Sequence, residues 1–203
     1  LTEYLVDQPT YRAATPRQRL EIISKLAEKN LVDWSVSLAY ARLYAGALIV
    51  GATSYEMVPP FEALITLKKL KDEGLVGWHY RVPTEAILAS EVLAMDKGYR
   101  KASPYDQLAK LKELESKGLI TMLTKKEFEK LPVWRLLISD PSFVRADISG
   151  KKDRLNKLKA EGMISASTYS DLVGIFRSVP LAAPAENRPA PLPQKIGPPP
   201  KQN

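Results

Sequence analysis

Leucine and other apolar residues recur three apart along the chain, in short runs that each stop at a glycine or asparagine and resume with an apolar pair. The first run reads Leu20, Ile23, Leu26, then Asn30, Leu31, Val32. The second reads Leu64, Leu67, Leu70, then Gly74, Leu75, Val76, and the third Leu108, Leu111, Leu114, then Gly118, Leu119, Ile120. The fourth reads Leu155, Leu158, then Gly162, Met163, Ile164, with Lys152 in place of the first leucine. Leu31, Leu75, Leu119 and Met163 stand 44 residues apart without slippage. Recurrence at a fixed period of this length marks a tandem helical array.

Each part of the unit has a physical reason. Apolar residues three apart share one side of a helix and bury against a neighbour. Residues between them, such as Lys110, Lys112 and Glu113, then face water, where Glu113 and Lys117 can pair four apart. Gly74, Gly118 and Gly162 fall where a helix ends in the left-handed conformation that glycine adopts without steric cost, and asparagine is the next best residue for Asn30's place. Thr15-Pro16 and Ser103-Pro104 are a capping residue followed by a first-turn proline; Pro59-Pro60 opens the second copy less neatly. A second helix is expected after each stop, over roughly 35–50, 83–97, 124–138 and 167–177. Pro83-Thr84-Glu85 and the capping-box spacing Thr124 to Glu127 serve as its starts, with Pro132 and Pro141 making the third copy irregular.

The expected architecture is all-α. An N-terminal segment spans 1–15, and four helical hairpins over 16–177 begin near 16, 60, 104 and 148, forming a short array or a bundle. A proline-rich tail covers 178–203. That tail holds 8 of the chain's 16 prolines, which excludes a regular helix or sheet and predicts an extended or disordered segment.

The third copy, Leu108 to Leu131, reads Leu-x-x-Leu, Gly-Leu-Ile-Thr and then Lys-Lys-Glu-Phe-Glu-Lys-Leu. It resembles the short C-terminal domain (SHOCT) family of small helical hairpins, with Met122-Leu123 interrupting the join. The resemblance covers about a quarter of the chain; the fourth copy keeps only its first half. It implies a hairpin that mediates association, and it brings no catalytic residues.

Composition narrows the chemistry. The chain has no cysteine and a single histidine, His79. A disulfide framework, a thiol nucleophile and the usual zinc ligand sets are therefore excluded. Gly46 to Gly51 lacks the lysine and hydroxyl of a phosphate loop, and no metalloprotease, serine-hydrolase or calcium-loop motif appears. Carboxylates such as Glu85, Glu91 and Asp171 show no convergent acid–base partner. No catalytic, metal-binding or cofactor-binding residue is assigned. The apolar stretch 43–52 is about half the roughly 20 residues a membrane-spanning helix needs and is expected to be a buried helix end. No membrane span is expected.

The net charge of +7 and pI near 9.4 suit an anionic partner as well as a merely basic solvated surface. Trp34 and Trp78 share one position, four residues past the stop. They either form an aromatic platform for a partner or cover the turn of each hairpin. His79 and Arg81, beside Trp78, would add a cationic and aromatic turn. Lys68, Lys69 and Lys71 form a candidate phosphate-contacting stripe, and Ala63–Val82 could also be a recognition helix with a wing, although the other copies favour a hairpin. In the tail, Arg188, Pro189, Pro191 and Pro193 could dock as a left-handed extended helix.

Two functions remain open. The first is a non-enzymatic scaffold or adaptor subunit that binds other protein subunits of a larger complex. The alternative is a basic helical-repeat protein that binds RNA or DNA. A soluble intracellular or organellar location fits both better than secretion, and the start at Leu1 is open to a processed N-terminus or to a cut boundary.

Overall fold

The computed structural model describes residues 8–50 and 58–178, and among them every regular element is helical. Four helices of 13 residues begin one period apart: α2 (Pro16–Glu28), α4 (Pro60–Asp72), α7 (Pro104–Ser116) and α10 (Ile148–Ala160). Each is followed by a partner helix: α3 (Trp34–Val50), α5 (Trp78–Met95), α8 (Met122–Ser139) and α11 (Ala166–Ser178). Short helices α1 (Pro9–Ala13), α6 (Lys97–Lys101) and α9 (Pro141–Val144) precede the first, third and fourth hairpins. We refer to the four hairpins as units one to four, and to their two helices as A and B.

Helix starts and stops follow from local chemistry. Thr15, Ser103 and Asp147 cap α2, α7 and α10 by accepting a hydrogen bond from the backbone N–H three residues on. At the stops, Asn30, Gly74, Gly118 and Gly162 take φ of 54°, 73°, 67° and 68°, closing each A helix with a left-handed residue. Leu31, Leu75, Leu119 and Met163 then donate their N–H to the carbonyl five residues back, completing the cap.

The first and fourth B helices begin within a residue of where the sequence places them, whereas the second and third start earlier. Helix α5 begins at Trp78 and runs through Pro83, because a proline this near the N-terminus forfeits only one intrahelical bond. That helix also occupies the place of the proposed wing. Thr121, not Thr124, caps α8; its hydroxyl accepts from the Thr124 N–H at 3.3 Å. Pro132 lies inside α8 without ending it. Likewise, 43–50 is not a wholly buried helix end, since Leu43 and Val50 face solvent.

Units stack in sequence. A and B pack together within each unit, and successive B helices pack side by side (α3 on α5, α5 on α8, α8 on α11). Side chains of one A helix meet the turn of the next unit at a constant offset. Ser24 Oγ donates to the Gly74 carbonyl at 3.2 Å, and the Lys68 and Lys112 stems lie against Gly118 and Gly162. Three apolar clusters result, each shared between neighbours: one joins Leu20 and Tyr44 to Leu67, another Leu64 and Ala89 to Leu111, and the third Leu108 and Val133 to Leu155. No unit buries its seam alone, as expected of a quasi-linear array. The apolar pair after each stop packs on the unit before it, so Val76, Ile120 and Ile164 are buried. Unit one has no such neighbour among the described residues, and Leu31 is 55% exposed.

Two junctions are also closed by a buried carboxylate. In α5, Glu85 accepts a hydrogen bond from the backbone N–H of Thr121, the residue that starts the next B helix. In α8, Glu129 accepts from the Ser165 N–H at 2.9 and 3.1 Å and from the Ser165 hydroxyl at 2.5 Å. Donor and acceptor lie 36 residues apart in both cases, so the contact is one period-locked clasp made twice. Cations of the preceding helical turn attend these carboxylates' neighbourhoods. Arg81 Nε stands 3.1 Å from Glu85 Oε2 without the alignment to hydrogen-bond it. The buried Lys125 ammonium donates to Glu115 at 2.8 Å and to the Gly162 carbonyl at 2.6 Å.

A charged acceptor removed from a buried donor forfeits the bond and leaves the donor unpaired. Glu129→Ala is therefore expected to lower unfolding stability by about 2–4 kcal/mol in urea titration, while Glu127→Ala, on the exposed side of the same helix, should change it by less than about 0.5 kcal/mol.

Candidate functional site: the groove at the first junction

The first junction lacks the clasp. At the position of Glu85 and Glu129 stands Ala41, and at the position of Thr121 and Ser165 stands Gly77, which carries no capping side chain. Ser37 takes the place of Arg81 and Lys125. A groove of about 730 Å³ opens there, and both Ala41 and Gly77 line it. Its floor is apolar, from Leu20, Ile23 and Leu38, while Trp34 and His79 flank its mouth.

Trp34 and His79 come from different units and meet across the junction, with ring centroids 5.5 Å apart and planes tilted by 40°. Each sits in the first turn of its B helix, and Trp34 is 68% exposed. An indole covering its own hairpin turn would be shielded, so that reading does not hold for Trp34. Trp78 is also exposed, at 55%, but the groove does not include it. The two tryptophans therefore do not form a single platform around this groove.

Other residues singled out from the sequence divide by role. Arg81 is mostly buried beside Glu85 and supports the second junction. Lys68 and Lys71 both reach Asp72, at 2.5 and 3.0 Å. Hydrogen bonds from these two ammonium groups hold the Asp72 carboxyl down to about 2. Their charge is thus matched locally, and of the three lysines only Lys69 stays exposed without an ion pair among the described residues. Arg188, Pro189, Pro191 and Pro193 lie outside the described residues. Glu85 looked like one of several scattered carboxylates in the sequence, but its recurrence at Glu129 on an otherwise apolar helix side was the signal of the clasp.

The groove's polar side chains are Ser24, Glu28, Asn30, Asp33, Ser37 and His79, with Tyr80 beside them. Asp33 is committed to the start of α3, where it accepts from Ser35 and Val36; the Ser35 hydroxyl bond and the Val36 N–H hold its carboxyl below the usual range. Tyr80 also lines the groove, with burial pushing its hydroxyl upward so that it stays neutral. No group of three or more His, Cys, Asp or Glu among the described residues could hold a metal. No described helix is long and apolar enough to cross a membrane. Protein-family models, curated proteins and solved structures contain no match to this chain.

Two outcomes test this description. A carboxyl carbon titration by NMR should place Asp72 near 2. Its folded value is depressed, so its contribution to stability is present above the usual 3.8 and fades as pH falls toward 2. Lys68→Ala combined with Lys71→Ala should return the midpoint toward the usual value. Separately, Ala41→Glu should be accommodated, because the groove and the Gly77 N–H receive the carboxylate. Ala45→Glu, at a fully buried position with no groove, should cost more than about 3 kcal/mol in the same urea assay.

Proposed function

We propose that the protein is a non-enzymatic adaptor or scaffold subunit, whose first junction receives an extended apolar segment of another protein. The observation that carries this reading is the absence of the clasp at one junction, together with the groove that opens in its place. Elsewhere the same position is filled from within by a glutamate on the N-cap backbone. A partner segment that lays apolar side chains on Leu20, Ile23 and Leu38, and an acidic side chain toward Gly77, would complete the first junction as Glu85 and Glu129 complete the others. Trp34, exposed at the mouth, is the residue type that most often anchors such contacts. The resemblance of the third unit to association-mediating SHOCT hairpins points the same way.

A variant that fills the groove internally tests the reading. The tagged full chain and its Ala41→Glu variant are used to capture partners from the native source, with and without nuclease. A protein partner retained by the wild-type chain after nuclease, and lost by Ala41→Glu and by Trp34→Ala, is the expected result. Loss of all captured material on nuclease treatment would overturn the adaptor reading in favour of nucleic-acid binding. In that case capture should also weaken steeply with salt.

A further inference from the structure

One register of the B helices stays apolar and solvent-facing through the array. Leu43, Ile87, Leu131 and Ile175 occupy the same position in α3, α5, α8 and α11, one period apart, and all are exposed, Leu131 to 67%. Val50, Met95, Trp134 and Ile138 extend the band along the same helices. Because the B helices pack side by side, these residues form one stripe across the whole array, away from the A helices. Scattered exposed apolar residues need no explanation, but a contiguous band of this extent does.

We infer that this face binds a second copy of the chain in a two-fold arrangement that lays unit one over unit four and unit two over unit three. This is independent of the groove at the first junction. Three observations carry it. The first is the order of charge beside the stripe. Unit one presents Arg42, unit two Glu91, unit three Glu127 with Lys130 and Arg135, and unit four Asp171, all exposed. Summed over these six residues, the signs run plus, minus, plus, minus. Reversing the order sets opposite signs against each other at every position, whereas stacking in register would set like on like. Arg135 donates to Gln107 of α7 at 3.3 Å, and Asp171 forms a long ion pair with Lys126 at 3.9 Å, contacts that pairing with a second copy would have to exchange or share.

Helix direction is the second. A two-fold axis parallel to the B helices reverses the unit order and preserves helix direction. Glu91 and Arg135 stand at the same position of α5 and α8, so they come to the same height across the axis. Closed two-fold contacts use the same patch on both copies, which is what a self-complementary face supplies. Third is area. Helices about 25 Å long at about 9–10 Å spacing give four of them a face of nearly 1,000 Å² per copy, against the roughly 800 Å² per partner of a standard stable interface.

Sedimentation equilibrium of the full chain, from about 1 to 100 µM, tests the inference. The wild-type chain is expected to be a dimer, and Ile87→Glu with Leu131→Glu a monomer with unchanged helical circular dichroism. Glu91→Arg and Arg135→Glu should each weaken dimerisation about tenfold, and the two together should restore it. The chain has no native cysteine, so single cysteines report the order of units. Chains carrying Ile87→Cys should cross-link to chains carrying Leu131→Cys, and Leu43→Cys should not cross-link to itself.

A monomer at every concentration, or a dimer indifferent to the stripe variants, would overturn the inference. So would a Leu43→Cys self-link, or failure of the combined charge reversal to restore the dimer. A monomer that still loses its captured partner on Ala41→Glu would remove this inference and leave the adaptor reading standing.

Discussion

Everything in the array depends on how one unit's turn is seated on the unit before it. The left-handed residue at each stop drops the following apolar pair onto the previous A helix, and the next B helix then starts beside the previous one. A seam of three residues cannot bury itself alone, since each apolar cluster includes side chains of a neighbouring unit. The buried carboxylates act at this same seat. Glu129 is fully enclosed, and its two oxygens are spent on the Ser165 N–H and hydroxyl. A shift of the next unit by one helical position would leave a buried charge without donors, which costs several kcal/mol. The clasp therefore fixes register as well as contributing stability.

The first-helix pattern could be read from the chain because it depends on local chemistry. A leucine every third residue, a capping residue before a proline and a glycine at the stop each have one dominant structural cause, and α2, α4, α7 and α10 lie where those signals place them. The starts of α5 and α8 are obscured in the sequence for an opposite reason. Pro83 and the Thr124–Glu127 spacing look like starts, yet a proline six residues into a helix is tolerated when the remaining turns and the packing hold it. The true starts, Gly77 and Thr121, are set by the length of the turn after the left-handed residue, which every unit shares. Counting from Gly74 and Gly118 would have located both.

The candidate site was legible only in part. Trp34 and His79 stood out as residue types, but their meeting across a junction required knowing that units stack at a constant offset. Glu85 was visible, and its meaning was not, because an isolated carboxylate on a helix usually faces water. Two glutamates one period apart on the apolar side of successive helices are a different signal. Read together with Ala41 in the same register, they mark where the array is closed and where it is open. Lys68 and Lys71 illustrate the reverse error. They form a charge run in the sequence, but Asp72 gathers both, so the run presents less positive charge than its composition implies.

Differences among equivalent positions then divide structure from recognition. Where a residue serves the seat between units, it recurs or is replaced by one that does the same work, as with Asn30 for glycine. At the first junction Ala41, Gly77 and Ser37 remove three components of the clasp at once, and no side chain of the described residues fills the resulting groove. Stability in a linear array is a sum of unit and junction terms. The first junction keeps its apolar cluster, the Ser24 Oγ to Gly74 carbonyl bond at 3.2 Å and the exposed Arg17–Glu73 pair at 2.6 Å, but pairs this exposed contribute little. Unit one is thus joined to its neighbour without a buried carboxylate. It is also the unit whose first residue after the stop, Leu31, is exposed where Leu119 and Met163 are buried, so an added segment at this junction has apolar contact to gain.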